Sequence, residues 1–132
     1  MHRNTFINSP KVLNATLQSR KRPDLFFAGQ ITGTEGYTES IATGMLAGIN
    51  MAKYLDVGVE TPTYLELPKE TMLGVLTQYI SDPAHEKFQP INSNWGIVPP
   101  IDLPKKDRKN KKLKNELLAK RSIELLEKVI IL

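Results

Sequence analysis

Cysteine is absent from the 132 residues of this chain, and with it go disulfides, thiolate metal sites and any cysteine nucleophile. That absence suits a reducing compartment. Long apolar runs are missing as well. No segment approaches the roughly 20 apolar residues of a membrane helix, and MHRNTFINSPK at the start lacks the unbroken apolar core of a signal peptide. A cytoplasmic protein with no membrane partner is expected. Aromatic residues are scarce, at 7% with a single tryptophan, and none interrupts the most basic stretch. The chain has no internal repeat, no low-complexity tract, no GxGxxG dinucleotide fingerprint and no Walker loop. What is present, 40% hydrophobic and 24% charged residues, is ordinary for one globular domain able to bury a core.

Charge is unevenly spread. The net charge is +4, and half of the 18 basic residues fall between Lys105 and Arg121. KKDRKNKKLK, Lys105 to Lys114, holds seven cations against the lone acid Asp107. Such a density can neutralise phosphates, with a strongly salt-dependent affinity; it also reads as a solvated linker running into the polar face of a helix. Trp95 and Phe88 read as anchors of their loop rather than as a base-stacking platform, since neither stands in a cluster of basic residues in the sequence.

The first 24 residues are an extended or loop-like lead-in, punctuated by Ser9-Pro10 and Arg22-Pro23. Asp24 to Ala28 (DLFFA), bounded by Pro23 and Gly29, suits a buried strand. From Gly36 to Leu55 the spacing is helical, with Ile41, Met45, Ile49 and Ala52 on one stripe. Gly44 and Gly48 inside that helix call for a backbone passing close by, which places the helix hard against a sheet. A second helix is expected over 68–81, with Pro68 in its first turn and Met72, Val75, Leu76, Tyr79 and Ile80 as its apolar stripe. Residues 82–104 carry five of the nine prolines and read as a long ordered loop. A last helix is expected over 106–130. The fold class is therefore α/β or α+β, a small sheet with three helices.

The stretch LFFAGQITGTEGYTES has the strand, glycine-rich turn and helix opening of a ligand site. The first amides of a helix lack internal partners and carry partial positive charge, and Gly29, Gly33 and Gly36 let a ligand approach the backbone. The GxxxGxxG spacing by itself also fits a purely structural turn. Glu35 and Glu39 complement the helix dipole and are poor candidates for catalytic acids. His85 reads as a surface histidine, and no metal site and no catalytic residue are expected in this chain.

LFFAGQITGTEGYTESIATGMLAGINMA resembles the C-terminal flavin segment of the folate- and FAD-dependent tRNA uracil-5-methyltransferases, relatives of the glucose-inhibited division protein A family. MHRNTFINSPKVLNATLQ and FQPINSNWGIVPP resemble further stretches of that branch, in the same order, so that the likeness covers the chain to about Pro100. The resemblance implies the C-terminal portion of a longer enzyme whose GxGxxG turn and cysteines have no counterpart here. It implies residues 1–104 as the C-terminal part of a two-dinucleotide-binding-type FAD domain, with a basic helix over 105–132 packed on it.

The implied chemistry is methylene transfer from methylenetetrahydrofolate to C5 of a T-loop uridine of tRNA, with FAD as cofactor and NADH or NADPH (NADP) as reductant. The implied flavin contacts are Gly29, Gln30, Ile31, Thr32, Gly33, Gly36, Tyr37 and Thr38, with Gln30 standing where the pattern has an aspartate. His2, Arg3 and Asn4 fall in the stretch implied for folate. Lys105, Lys106, Arg108, Lys109, Lys111 and Lys112 are the candidates for tRNA contact. On this reading the chain alone is inactive, its partner is the N-terminal portion of the enzyme, and exposed apolar faces favour self-association. The alternative is a small basic RNA-binding or adaptor module without catalysis.

Overall fold

Helices rather than a sheet organise the chain. The computed structural model describes residues 5–56, 58 and 60–129. Among them run α1 (Ser9–Val12), α2 (Tyr37–Tyr54), α3 (Met72–Ser81) and α4 (Lys111–Val129), with 3-10 turns at Gly29–Thr32 and Trp95–Ile97.

The expected strand over 24–28 is reduced to one contact. Phe26 makes an isolated antiparallel bridge with Gln18, Leu13 makes another with Ser19, and Thr34 a parallel one with Ile91. Neither side can extend the first bridge into a ladder. Leu17 turns into the left-handed region at φ 69° on one side, and Gly29 does so at φ 77° on the other. Each bridge is therefore a tie between loops, and the expected small sheet is not formed among the described residues.

α2 has almost the bounds that the periodicity predicts, but the stripe Ile41, Met45, Ile49 and Ala52 that suggested it is not the face that is buried. Its inward face carries Thr43, Leu46, Ala47 and Asn50. Leu46 and Ala47 join Leu17, Ile80 and Phe88 in the core, against which Phe26, Ala28, Leu65, Leu73 and Tyr79 pack. The outward face is uncovered, with Ile41 74% and Met45 52% exposed. Gly44 and Gly48 lie on it, and a Cβ at either position would meet nothing within 4 Å; the close-passing sheet expected from them is not there.

The glycine that does meet a backbone is Gly74, in α3. A Cβ there would run into the Pro68 carbonyl and stand 2.7 Å from that of Leu67. That crowding follows from where α3 begins. It starts at Met72, not at Pro68, because Thr71 caps it: the Thr71 hydroxyl accepts the Gly74 N–H at 3.0 Å and donates to the Pro68 carbonyl at 2.7 Å. A threonine N-cap satisfies orphan amides that proline in a first turn leaves open.

The same reason shortens the last helix. Residues 105–109 form turns, and Asn110, whose side chain accepts the Leu113 N–H at 3.1 Å, sets the start of α4. Leu118 and Ser122 are its buried positions. Arg121 fastens the helix to the 82–104 loop by donating to the Pro99 carbonyl at 2.5 Å and the Pro100 carbonyl at 3.3 Å. That loop is ordered, as expected, and Phe88 anchors it in the core. His85 is not a free surface side chain: its ring lies 4.4 Å from that of Tyr79. No helix among the described residues is long and apolar enough to cross a membrane.

Candidate cofactor-binding turn

The turn that leads into α2 is built from internal hydrogen bonds. After the extended Ala28, Gly29 to Thr32 make a 3-10 turn that ends on the left-handed Gly33, φ 92°. The Gly29 N–H donates to Thr43 Oγ1 at 2.9 Å, and its carbonyl accepts both the Thr32 hydroxyl at 2.6 Å and the Thr34 hydroxyl at 3.1 Å. From the lead-in, the Ile7 N–H donates to the Ile31 carbonyl at 2.8 Å and the Ser9 hydroxyl to the Thr32 carbonyl at 2.6 Å. On the far side the Ile91 N–H meets the Gly33 carbonyl at 2.8 Å, and the Glu35 N–H meets the Ile91 carbonyl at 2.9 Å. The turn is thus clamped between residues 7–9 and residue 91, which holds the start of α2 in place.

Gly36, at φ 118°, is the N-cap of α2 and provides no side-chain cap. The first helical bond is from the Ser40 N–H to the Gly36 carbonyl, 3.0 Å. Glu39 curls back beside that end: a Cβ at Gly36 would strike its Oε2, while its Oε1 accepts the Ser93 hydroxyl at 2.5 Å and the Ser93 N–H at 3.0 Å. The Ser93 hydroxyl, the Glu39 amide and the Ser93 amide together hold the Glu39 carboxyl below the usual carboxylate range. Its charge matches the positive end of the helix dipole.

A carboxyl with a depressed folded-state pKa stabilises the fold above its unfolded value of about 4.3 and loses that contribution as the pH falls through the folded value. Urea midpoints followed from pH 7 to pH 3 should therefore drop in the unmodified chain. Glu39→Gln should cost about 1 kcal/mol at pH 7 through weakened charge-assisted bonds, and its penalty should vanish toward pH 3. A penalty independent of pH would contradict this account of Glu39.

The expected flavin contacts divide among three places. Gln30, Gly36 and Tyr37 line one cavity of about 360 Å³ together with Ser40, a residue the sequence reading passed over. Tyr37 is 92% exposed and Ile31 41%, so both present side chains outward. Thr32 is fully buried and Gly33 lies beneath the turn, where Phe88 covers it. Thr38 opens instead on a second cavity with Glu39, Ala42, Leu73, Ser93 and Leu126. His2, Arg3 and Asn4 lie outside the described residues. No group of three or more His, Asp or Glu able to hold a metal occurs among the described residues.

The basic candidates also divide. Arg108, Lys109 and Lys111 share a cleft with Lys114 and Trp95, whereas Lys105, Lys106 and Lys112 are exposed away from it. Trp95 therefore has cationic neighbours after all; the fold brings them from residues more than a dozen positions further along the chain.

The family described as glucose inhibited division protein A matches residues 1–57. Over 98% of its length the chain is 50% identical to the methylenetetrahydrofolate–tRNA-(uracil-5-)-methyltransferase TrmFO of Natranaerobius thermophilus. By sequence, the chain is similar to one part of these methyltransferases. The proteins of the same name from Brevibacillus brevis and Bacillus velezensis are 53% and 51% identical over 96% and 98% of the chain. In each case the chain spans only 28% of the length of the relative it matches. The matched family stretch ends shortly after α2, so it contains the whole clamped turn and the helix that the turn positions.

Proposed function

We propose that this chain forms the flavin-facing wall of a folate- and FAD-dependent tRNA uracil-5-methyltransferase. One observation carries the reading: the cavity of about 360 Å³ at the head of α2, lined by Gln30, Gly36, Tyr37 and Ser40, in a segment whose relatives bear that activity in their names. Bound FAD would supply the redox chemistry, with methylenetetrahydrofolate as carbon donor and NAD(P)H as reductant.

The residues present fit a flavin ring edge better than a phosphate. The first-turn amides of α2 other than that of Glu39, which its own carboxylate holds, and the Gln30 side-chain amide can hydrogen-bond carbonyl and ring nitrogen acceptors. The Glu39 carboxylate, already resident at that helix end, repels a second full negative charge. Tyr37 offers a flat face to a ring, and the glycine turn lets the ligand lie against backbone. His2, Arg3 and Asn4 remain the proposed folate contacts.

The uncovered face of α2, from Tyr37 through Ile41, Gly44, Met45 and Gly48, is open enough for another helix or strand to approach closely. In this reading it packs against segments that the relatives carry outside the matched stretch, and the DLFFA run joins a sheet supplied there. The basic turns at 105–109 and α4 (Lys111–Val129) act in this reading as a unit set against the first 104 residues, and a cytoplasmic location goes with the tRNA substrate. The Trp95 cleft supports a second reading, RNA binding through the basic segment without catalysis.

The test uses the full-length polypeptide that contains AGQITGTEGY. With methylenetetrahydrofolate, NADPH and a tRNA transcript it should form 5-methyluridine. Gly36→Val should strip its flavin absorbance. The isolated 132-residue chain should give no turnover, and robust methylation by it would overturn the assignment of a partial site.

A further inference from the structure

The cleft that gathers Trp95, Gly96, Arg108, Lys109, Lys111, Lys114 and Asn115 encloses about 320 Å³, at the lower end of the roughly 300–1,000 Å³ of small-ligand sites. Both of its walls are fastened. The Trp95 wall is a 3-10 turn in which Asn94 Oδ1 accepts the Gly96 N–H at 3.0 Å. The opposite wall is the head of α4, held to the same loop by Arg121 on the Pro99 and Pro100 carbonyls. Arg108 donates its Nε–H to the Leu103 carbonyl at 3.2 Å, which fixes the guanidinium and leaves its terminal nitrogens for a ligand.

The charge in this cleft is uncompensated. Among the described residues the ion pairs are Arg22 with Asp24 and Lys120 with Glu124, so none of the four cleft cations has a carboxylate partner. Lys111 and Lys114 stand in the first turns of α4, which has no acidic residue in its first turn. Cations there oppose the helix dipole, and an anion in the cleft relieves both repulsions at once. An indole in the same cleft narrows the choice of anion. A flat π face matches any nucleobase, and the alternation of base and phosphate matches one aromatic surface ringed by cations. The Asn115 amide can both donate to and accept from a base edge. An acidic peptide would use the cations and leave the indole without a stacking partner.

We propose that this cleft binds a nucleotide of single-stranded RNA, its base stacked on Trp95 and its flanking phosphates held by Arg108, Lys109, Lys111 and Lys114. The proposal deepens the RNA-substrate part of the reading above and needs none of its flavin chemistry.

The chain contains one tryptophan, so indole fluorescence reports from the cleft alone. The 132-residue chain is titrated with tetrauridylate, with an abasic tetranucleotide of equal charge, and with polyglutamate. Tetrauridylate should quench and shift the emission, and the other two should not. Contacts to the three phosphates of tetrauridylate give a slope of log affinity against log salt of about −2. Trp95→Ala, read by anisotropy of labelled tetrauridylate, should bind about tenfold more weakly. The exposed Lys114→Glu, which leaves the loop untouched, should weaken binding and flatten the salt slope by about one.

An emission spectrum unmoved at saturating tetrauridylate would overturn the site, as would equal responses to all three ligands. An effect of polyglutamate alone would make it an acidic-peptide site. Loss of quenching with tRNA methylation intact in the full-length polypeptide would sink this inference and spare the methyltransferase, and the converse would do the reverse.

Discussion

Replacing Asn50 by leucine should cost this fold about 3 kcal/mol, more than any surface change in α2. Asn50 is fully buried on the inward face of that helix, and its side chain makes three bonds to two separate loops. Its amide donates to the Thr16 and Leu65 carbonyls, each at 3.0 Å, and its Oδ1 accepts the Leu65 N–H at 2.7 Å. Leucine fills similar volume and leaves all three backbone groups without a partner, the Thr16 carbonyl in a buried site and the two Leu65 groups in a half-buried one. A buried unpaired group costs about 1–3 kcal/mol, and partial relaxation keeps the total near the lower end of the sum. Asn50→Asp retains the acceptor and loses the donor, facing two carbonyls with a carboxylate, and should be no milder at pH 7. Urea unfolding followed by far-UV circular dichroism gives both values. A loss under about 1 kcal/mol for Asn50→Leu would mean that the two loops hold to α2 without this side chain.

Nothing in the spacing of apolar residues points to Asn50, which sits among hydrophobic neighbours as a polar letter with no local partner. What was legible was the part of the fold decided locally. The 3.6-residue period and Gly36 locate α2 within one residue at each end. The starts of α3 and α4 were displaced by four or five residues, because Thr71 and Asn110 cap them through side chains whose use depends on the following amides being free. The DLFFA run has strand composition, but a strand needs an extended neighbour, and Leu17 turns left-handed where that neighbour would continue. Gly44 and Gly48 reveal that a Cβ is absent without revealing whether anything occupies its place. The same division between local and distant contacts holds at the site. The turn and its glycines were visible as a local pattern, whereas Glu39 with Ser93 and Trp95 with Arg108 meet only through the path of the 82–104 loop.

Gly33 is where that loop and the turn depend on each other most, and Gly33→Ala should destabilise the chain by about 3 kcal/mol. Two costs add there. An alanine at φ 92° sits in a region that costs an L-residue roughly 1–2 kcal/mol. Its Cβ would also stand 2.5 Å from Cζ of Phe88, a ring held in the core by contact with Tyr79, Phe6 and His85. The two contributions separate in a double-mutant cycle. Phe88→Leu removes the ring that the methyl group strikes, so the pair of substitutions should cost at least about 1 kcal/mol less than the sum of the singles. Strict additivity would assign the whole penalty to the backbone. The clash matters for the site because residues 88–93 are joined to the turn at Ile91 and to the head of α2 through Ser93 and Glu39. Pushing Phe88 away shifts all three together, and the cavity formed by Gln30, Gly36, Tyr37 and Ser40 loses its shape. In the full-length polypeptide, Gly33→Ala should therefore lower bound flavin even at temperatures where the protein stays folded, and adding Phe88→Leu should restore part of it.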